Sequence, residues 1–266
     1  MKVKIVKEFA VLISIFLLIW LAFIYIPLKP NTPEIAISLE QEQKIGDLII
    51  DAYLKDVKVV TDSTINNALD KIYTRLLTGM DSTNYNYRIY VVQNDDMNAF
   101  ASLGGNLVIF TGLIKYADMP EEVAAVLAHE MGHVEKRHVV NKVVKELGIT
   151  LVLSVLSGGD PGFMNEILQQ CVSTVFDRNQ EGEADDYGLE LLEKIQIHPN
   201  AMAAIFRKIR DKYSSSTFEN IEFLSTHPNT NTRIKKSLNY KTKEGFVSRA
   251  IEDIQWQLVK DALELK

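Results

Sequence analysis

The sequence predicts a mainly helical α+β fold with a small β-sheet, preceded by one transmembrane helix. Three observations carry this reading. Apolar residues recur at helical spacing through most of the chain after residue 38. Convincing strand character is confined to the β-branched and aromatic stretch Tyr87 to Val92 and to a short glycine-centred hairpin ending in Leu107 to Phe110. An uncharged apolar run, residues 9–27, is long enough at ~20 residues to cross a bilayer. Net charge is −6 with no basic stripe, which leaves a nucleic-acid role without electrostatic support. The lone cysteine, Cys171, excludes an intrachain disulfide and a thiolate metal cluster, and its apolar neighbours make it a core residue.

At the N-terminus, Lys2, Lys4 and Lys7 lie in residues 1–8, ahead of the apolar run. The positive-inside rule puts this end in the cytoplasm and everything beyond the run on the periplasmic or extracellular face. The run ends in bulky residues, Phe23 to Pro27, without a small-residue cleavage site, so it reads as a retained single-pass anchor in the lipid bilayer. Residues 28–37, with Pro30 and Pro33, form a linker.

The folded part begins at residue 38. Ser38 and Gln41 have the form of a capping box opening a helix with Ile45, Leu48, Ile49, Ala52 and Tyr53 on one face. Val59 to Asp62 is a break, and a second amphipathic helix carries Ile65, Leu69, Ile72 and Leu76. After the strand at Tyr87 to Val92 comes Asn98 to Asn106, a short strand and glycine turn leading into Leu107 to Phe110. This hairpin is either plain scaffold or an edge strand able to pair with an extended peptide.

The centre of the sequence is His129-Glu130-Met131-Gly132-His133. On a helix, His129 and His133 lie one turn apart on one face, so both imidazoles can reach one metal ion, with Glu130 beside them to act on a water. Asp118, Pro120 and Glu121 supply start signals for that helix, with Asp118 as N-cap. His138, five positions after His133, falls well round a continuous helix and is not expected as a ligand. Residues 147–156 read as a buried helix too short to span a bilayer, with a surface dipping into the membrane as the alternative.

A catalytic metal site of this kind needs a third protein ligand from elsewhere in the chain. Glu181 and Asp185 share one helix face, while Glu183 points away. Glu181 suits a metal, and Asp185 suits a hydrogen bond from the outer nitrogen of a ligand histidine. Further on, His227 and Arg233 sit in a polar loop leading into a helix; they are either turn chemistry or donors that stabilise a developing oxyanion. His198-Pro199 is turn chemistry. The remainder, residues 241–266, is expected to be a helix from Phe246 onward, carrying Ile251, Ile254, Leu258 and Ala262.

Four blocks coincide in order: Asn98-Ala99-Phe100-Ala101 with Gly104-Gly105, the His-Glu-x-Gly-His helix, Arg178-x-x-Glu181-x-Glu183-Ala184-Asp185, and Thr226-His227-Pro228 with Arg233. Over residues 38–240 this resembles the membrane-associated zinc metallopeptidases that include HtpX, the CAAX prenyl endopeptidases and the BepA-type periplasmic proteases. The resemblance implies a zincin-like domain holding one Zn2+ through His129, His133 and Glu181, with Glu130 as base and Asp185 orienting a ligand histidine. It places His227 and Arg233 near the substrate carbonyl or as regulators of the zinc, and implies that Gly104, Gly105, Asn106, Leu107, Val108 and Ile109 form the substrate-binding strand. It departs from the family at Asp177, where serine is usual before the arginine. The function it implies is a membrane-anchored zinc metalloendopeptidase in quality control, with unfolded or misassembled membrane or envelope proteins as partners. The alternatives are a zinc-containing chaperone or assembly factor and a specific processing protease.

Overall fold

The structure, a computed structural model, describes residues 11, 13–17, 20, 37–158, 160–173, 175–214, 227–228 and 230–264. The chain divides into two units, Met1–Ala36 and Ile37–Lys266. In the first, the described residues are helical and exposed. The rest of the expected anchor at 9–27 lies outside the described residues, as does most of the linker. Among the described residues no helix is long and apolar enough to cross a membrane.

The second unit opens as its start signals dictate. Ser38 and Gln41 close a reciprocal capping box at the head of α1 (Leu39–Asp56), which buries Ile45, Ile49 and Ile50. Asp62 caps α2 (Ser63–Leu77), accepting the Thr64 and Ile65 N–H groups. Three strands follow: β1 (Arg88–Val92), β2 (Ala99–Ala101) and β3 (Asn106–Phe110). Their order is β1-β3-β2, with β1 parallel and β2 antiparallel to β3. The break before α2 is not idle, since Val59 bridges Val92 on the far side of β1.

This order corrects one expectation. Residues 106–110 are the central strand, with neighbours on both sides, so Leu107, Val108 and Ile109 have no free edge to offer a peptide. The strand at the sheet edge beside the motif helix is β2, whose three residues are buried.

A short helix, α3 (Thr111–Tyr116), leads to α4 (Pro120–Glu135), the motif helix. Pro120 occupies its first turn, but the residue before it is Met119 rather than Asp118. Asp118 instead donates its N–H to the Glu122 carboxylate at 2.8 Å. Every residue of α4 from Glu122 to Val134 is buried, as befits a helix at the middle of a domain.

The main partner of α4 is α8 (Arg178–Lys194). Two glycines let their backbones meet. A Cβ at Gly132 would lie 2.8 Å from the Ala184 carbonyl oxygen, and one at Gly188 would lie 3.2 Å from the His129 nitrogen. Between these helices run α5 (His138–Leu147), α6 (Ile149–Ser154) and α7 (Pro161–Ser173). The apolar stretch 147–156 is therefore split: Gly148, at φ 84°, separates α5 from α6, whose Val152 is buried and whose other residues are half-buried or exposed. After α8 come α9 (Asn200–Ser214) and α10 (Thr230–Leu238).

The chain end also differs from expectation. The last helix, α11, begins at Trp256, not Phe246. Residues 246–255 form an irregular strap whose backbone groups are taken elsewhere. Arg249 donates to the Gln196 carbonyl, Ile251 donates to the Glu121 carboxylate, and the Asp253 carbonyl accepts from Lys71. Asp253 itself is left-handed at φ 65°, which a helix does not accommodate.

Candidate metal centre and active site

Helix α4 delivers His129, Glu130 and His133 to one point, each at most 1% exposed. The two Nε2 atoms face each other at 3.1 Å. Glu181 enters from the first turn of α8, which Asp177 opens with a capping box to Gln180. Aspartate thus does the capping that serine would do at this position. Glu181 Oε1 lies 3.3 Å from His133 Nε2 and 2.9 Å from His227 Nδ1. The ligating atoms of His129, His133, Glu181 and His227 all lie within 4.8 Å of one another.

The donors fit a metal, and the tautomers say why. His129 Nδ1 is 3.0 Å from Asp185 Oδ1, an acceptor, so its ring proton belongs there. That leaves the His129 Nε2 with a lone pair facing His133 Nε2. Burial, then the Arg233 charge, lowers the His129 pKa to about 4. Burial likewise holds His133 well below the usual histidine range. Two neutral imidazoles turned nose to nose with a carboxylate beside them form an incomplete set that a cation completes. Three imidazole nitrogens and one carboxylate oxygen, without thiolates, are zinc-type donors.

Glu130 stands next to this group. Its Oε2 accepts the Ala101 N–H at 2.9 Å, and its buried Oε1 has no hydrogen-bond partner. Burial, reinforced by the Glu181 charge and opposed by His227 and the Ala101 N–H, raises its pKa to about 7. Burial pushes Glu181 and Asp185 upward too, but it loses to the His227 and Arg233 charges on Glu181 and to Arg233 and His129 on Asp185. Both carboxyls are held well below the ordinary range.

Arg233 is not placed to meet a substrate carbonyl. Its Nε and Nη2 donate to Asp185 at 3.0 and 2.8 Å, and its Nη1 lies 2.8 Å from Glu181 Oε2, close but poorly aligned. The guanidinium sits over the Phe206 ring at 4.2 Å and is 4% exposed. It is an internal counter-charge to the two carboxylates. His227 lies inside the donor group itself, with Nε2 3.6 Å from Glu130 Oε1, a position nearer the metal ligands than a loop residue's spacing discloses.

Phe176 and two side chains that the helical reading set aside, His138 and Glu183, also belong here. Phe176 stacks on the His133 ring, centroids 3.8 Å apart. His138 Nδ1 lies 3.1 Å from His133 Nδ1, and its Nε2 lies 3.2 Å from Glu183 Oε2. His138 returns to His133 because the helix breaks at Arg137, left-handed at φ 57°. The Arg137 guanidinium donates to buried Glu42 and to the Ile37 carbonyl, which pins the turn. Without a glycine there, no local signal marks the break.

Comparison with known proteins agrees with this geometry. The chain is 29% identical over 217 residues to the beta-barrel assembly-enhancing protease of Yersinia pestis, covering 76% of this chain and 44% of that one. It is 28% identical over 203 residues to the mitochondrial metalloendopeptidase OMA1 of Arabidopsis thaliana, covering 76% and 41%. It is 34% identical over 131 residues to the metalloprotease LoiP of Escherichia coli, covering 47% and 51%. The chain thus spans about half the length, or less, of these relatives. The model of peptidase family M48 matches residues 63–241, a stretch that contains the donor group, Glu130 and Arg233, and on that match the chain belongs to peptidase family M48.

Proposed function

We propose that the protein is a zinc-dependent metalloendopeptidase, anchored to a membrane through residues 9–27 and acting on membrane or envelope proteins. One observation carries the chemistry: Glu130 Oε1 is a buried carboxylate oxygen without a hydrogen-bond partner, beside a converging set of imidazoles. A purely structural metal site has no use for such a group.

His129, His133 and Glu181 would hold the zinc. When bound, the metal supplies Lewis-acid chemistry, polarising a water and the peptide carbonyl. Glu130 does the proton work: Oε1 takes a proton from the attacking water and delivers it to the leaving amide nitrogen. The Ala101 N–H holds Oε2, so the carboxylate cannot rotate away between those two steps. Asp185 keeps the His129 ring proton on Nδ1, and Arg233 holds that carboxylate ionised.

His227 lies within the same donor group and would offer a bound zinc a fourth protein donor in place of a water or substrate oxygen. Hydrolysis would then require His227 to give way. Substrate would lie along β2. Asn98 accepts from Phe110 and Ser102 donates to Asn106, so alternate residues, Ala99 and Ala101, aim their main-chain groups away from β3. An extended peptide pairing there would be laid beside Glu130.

The anchor rests on the hydropathy of residues 9–27. The substrate class rests on that anchor and on the relative named for β-barrel assembly. The test is degradation of casein and of an unfolded outer-membrane β-barrel protein by the full chain in detergent, with and without a zinc chelator. Hydrolysis that survives both chelation and Glu130→Gln would overturn the reading.

A further inference from the structure

One helix, α8, presents three carboxylates at alternate positions. Glu181 belongs to the donor group and Asp185 accepts from His129. Glu183 lies on the opposite side and is 58% exposed, yet it too is tied to the centre. Its Oε2 is 3.2 Å from His138 Nε2, and His138 Nδ1 is 3.1 Å from His133 Nδ1.

Hydrogen-bond logic allows one arrangement of protons along this line. Resting on the reading of His133 as a ligand through Nε2, a neutral His133 carries its proton on Nδ1. That N–H faces His138 Nδ1, which must then present a lone pair. His138 consequently carries its own proton on Nε2, aimed at a carboxylate that only accepts. The opposite arrangement would set His138 Nδ1–H against His133 Nδ1–H and leave Glu183 facing a lone pair.

We infer that His138 and Glu183 are positioning residues that fix the tautomer and ring angle of His133, and so set the affinity of the centre for zinc. The two ligand histidines are thereby oriented by different devices. His129 has a buried carboxylate neutralised by Arg233; His133 has a neutral imidazole relayed to a carboxylate at the surface. Phe176, stacked on the His133 ring, restrains its tilt while the relay restrains its rotation.

The test uses the full chain, labelled with 15N at histidine and loaded with zinc. Long-range nitrogen–proton correlations are expected to show His138 protonated on Nε2 and His133 on Nδ1. Finding His138 protonated on Nδ1 overturns the relay. In parallel, zinc affinity is measured by competition with a chromophoric chelator. His138→Phe keeps an aromatic ring but removes the acceptor, and is expected to weaken zinc binding about 10–100-fold. Because a buried replacement can disturb folding, Glu183 supplies a second variant at an exposed position. Glu183→Gln still accepts from His138 and should bind zinc within about threefold of the parent. Glu183→Lys offers a donor to Nε2, favours the wrong tautomer and should lose about tenfold or more. Zinc affinities of His138→Phe and Glu183→Lys both within twofold of the parent would overturn the inference. These readouts are separate from hydrolysis: a parent chain that binds zinc tightly without cleaving protein would sink the proposed function and leave the relay standing.

Discussion

Ala101 and Glu130 are joined by a single hydrogen bond of 2.9 Å, from the main-chain N–H of an edge strand to one oxygen of the motif carboxylate. That bond couples the place where a substrate backbone would lie to the group that would move its proton. A shift of β2 would also shift the base.

Glu130→Gln should therefore leave the scaffold intact while abolishing proton transfer. The amide can keep the Ala101 contact through its oxygen but cannot take up a proton. Zinc content by elemental analysis should match the parent, and the rate of casein cleavage should fall about 10²–10⁴-fold. Loss of zinc in this variant would place Glu130 among the ligands instead.

Gly132→Ala tests the close approach of α4 and α8. The added methyl would meet a main-chain oxygen, which cannot rotate aside as a side chain can. Helix α8 must retreat, carrying Glu181 away from the imidazoles. The variant should lose about 1–3 kcal/mol of stability in thermal unfolding. It should also bind zinc more weakly, as read by chelator competition.

The carboxylates on Arg233 make the metal-free protein acid-sensitive. Glu181 and Asp185 have folded pKa values depressed below their unfolded ones, so their contribution is present above the unfolded values, about 4, and is lost as pH falls through the folded values. Urea unfolding of chelator-treated protein should show the contribution of this pair declining only below about pH 4. Arg233→Met removes the counter-charge from two buried groups. It should cost about 3–5 kcal/mol at neutral pH. Carboxyls left raised by burial favour the acid side, so between about pH 7 and 4, where the parent pair contributes no slope, the variant should gain stability as pH falls. An unchanged acid profile in Arg233→Met would show that Arg233 does not govern the pair.

His227→Ala removes the fourth donor and opens a position at the centre. Cleavage of an unfolded protein should rise severalfold while zinc affinity falls about tenfold. A drop in cleavage with zinc occupancy held full would instead assign His227 to stabilising the transition state.

The residues that sequence spacing located correctly are those on unbroken helices. His129 with His133 and Glu181 with Asp185 obey the four-residue rule because α4 and α8 run regularly through them, and both helices announce their starts with proline and capping signals. His138 escapes the same rule because Arg137 adopts a left-handed turn, held by Glu42, a residue 95 positions away. Sequence puts the edge strand of the sheet a few residues too late for a similar reason. A hairpin in sequence shows two strands, and only the parallel pairing of distant β1 reveals which of them is central. Arg233 was legible as a charge near the centre but not as an internal one, since its carboxylate partners lie 48 and 52 positions earlier. Each failure comes from a contact between segments remote in sequence.

The alternating carboxylates of α8 give the site a property that no one of them has alone. Because Glu181, Glu183 and Asp185 are fixed on one rigid rod, a rotation of that rod by one residue's worth, about 100°, would misdirect all three. Inserting or deleting a single residue between Asp177 and Glu181 should therefore not degrade the centre gradually. The site is keyed to the register of one helix and should be lost as a unit.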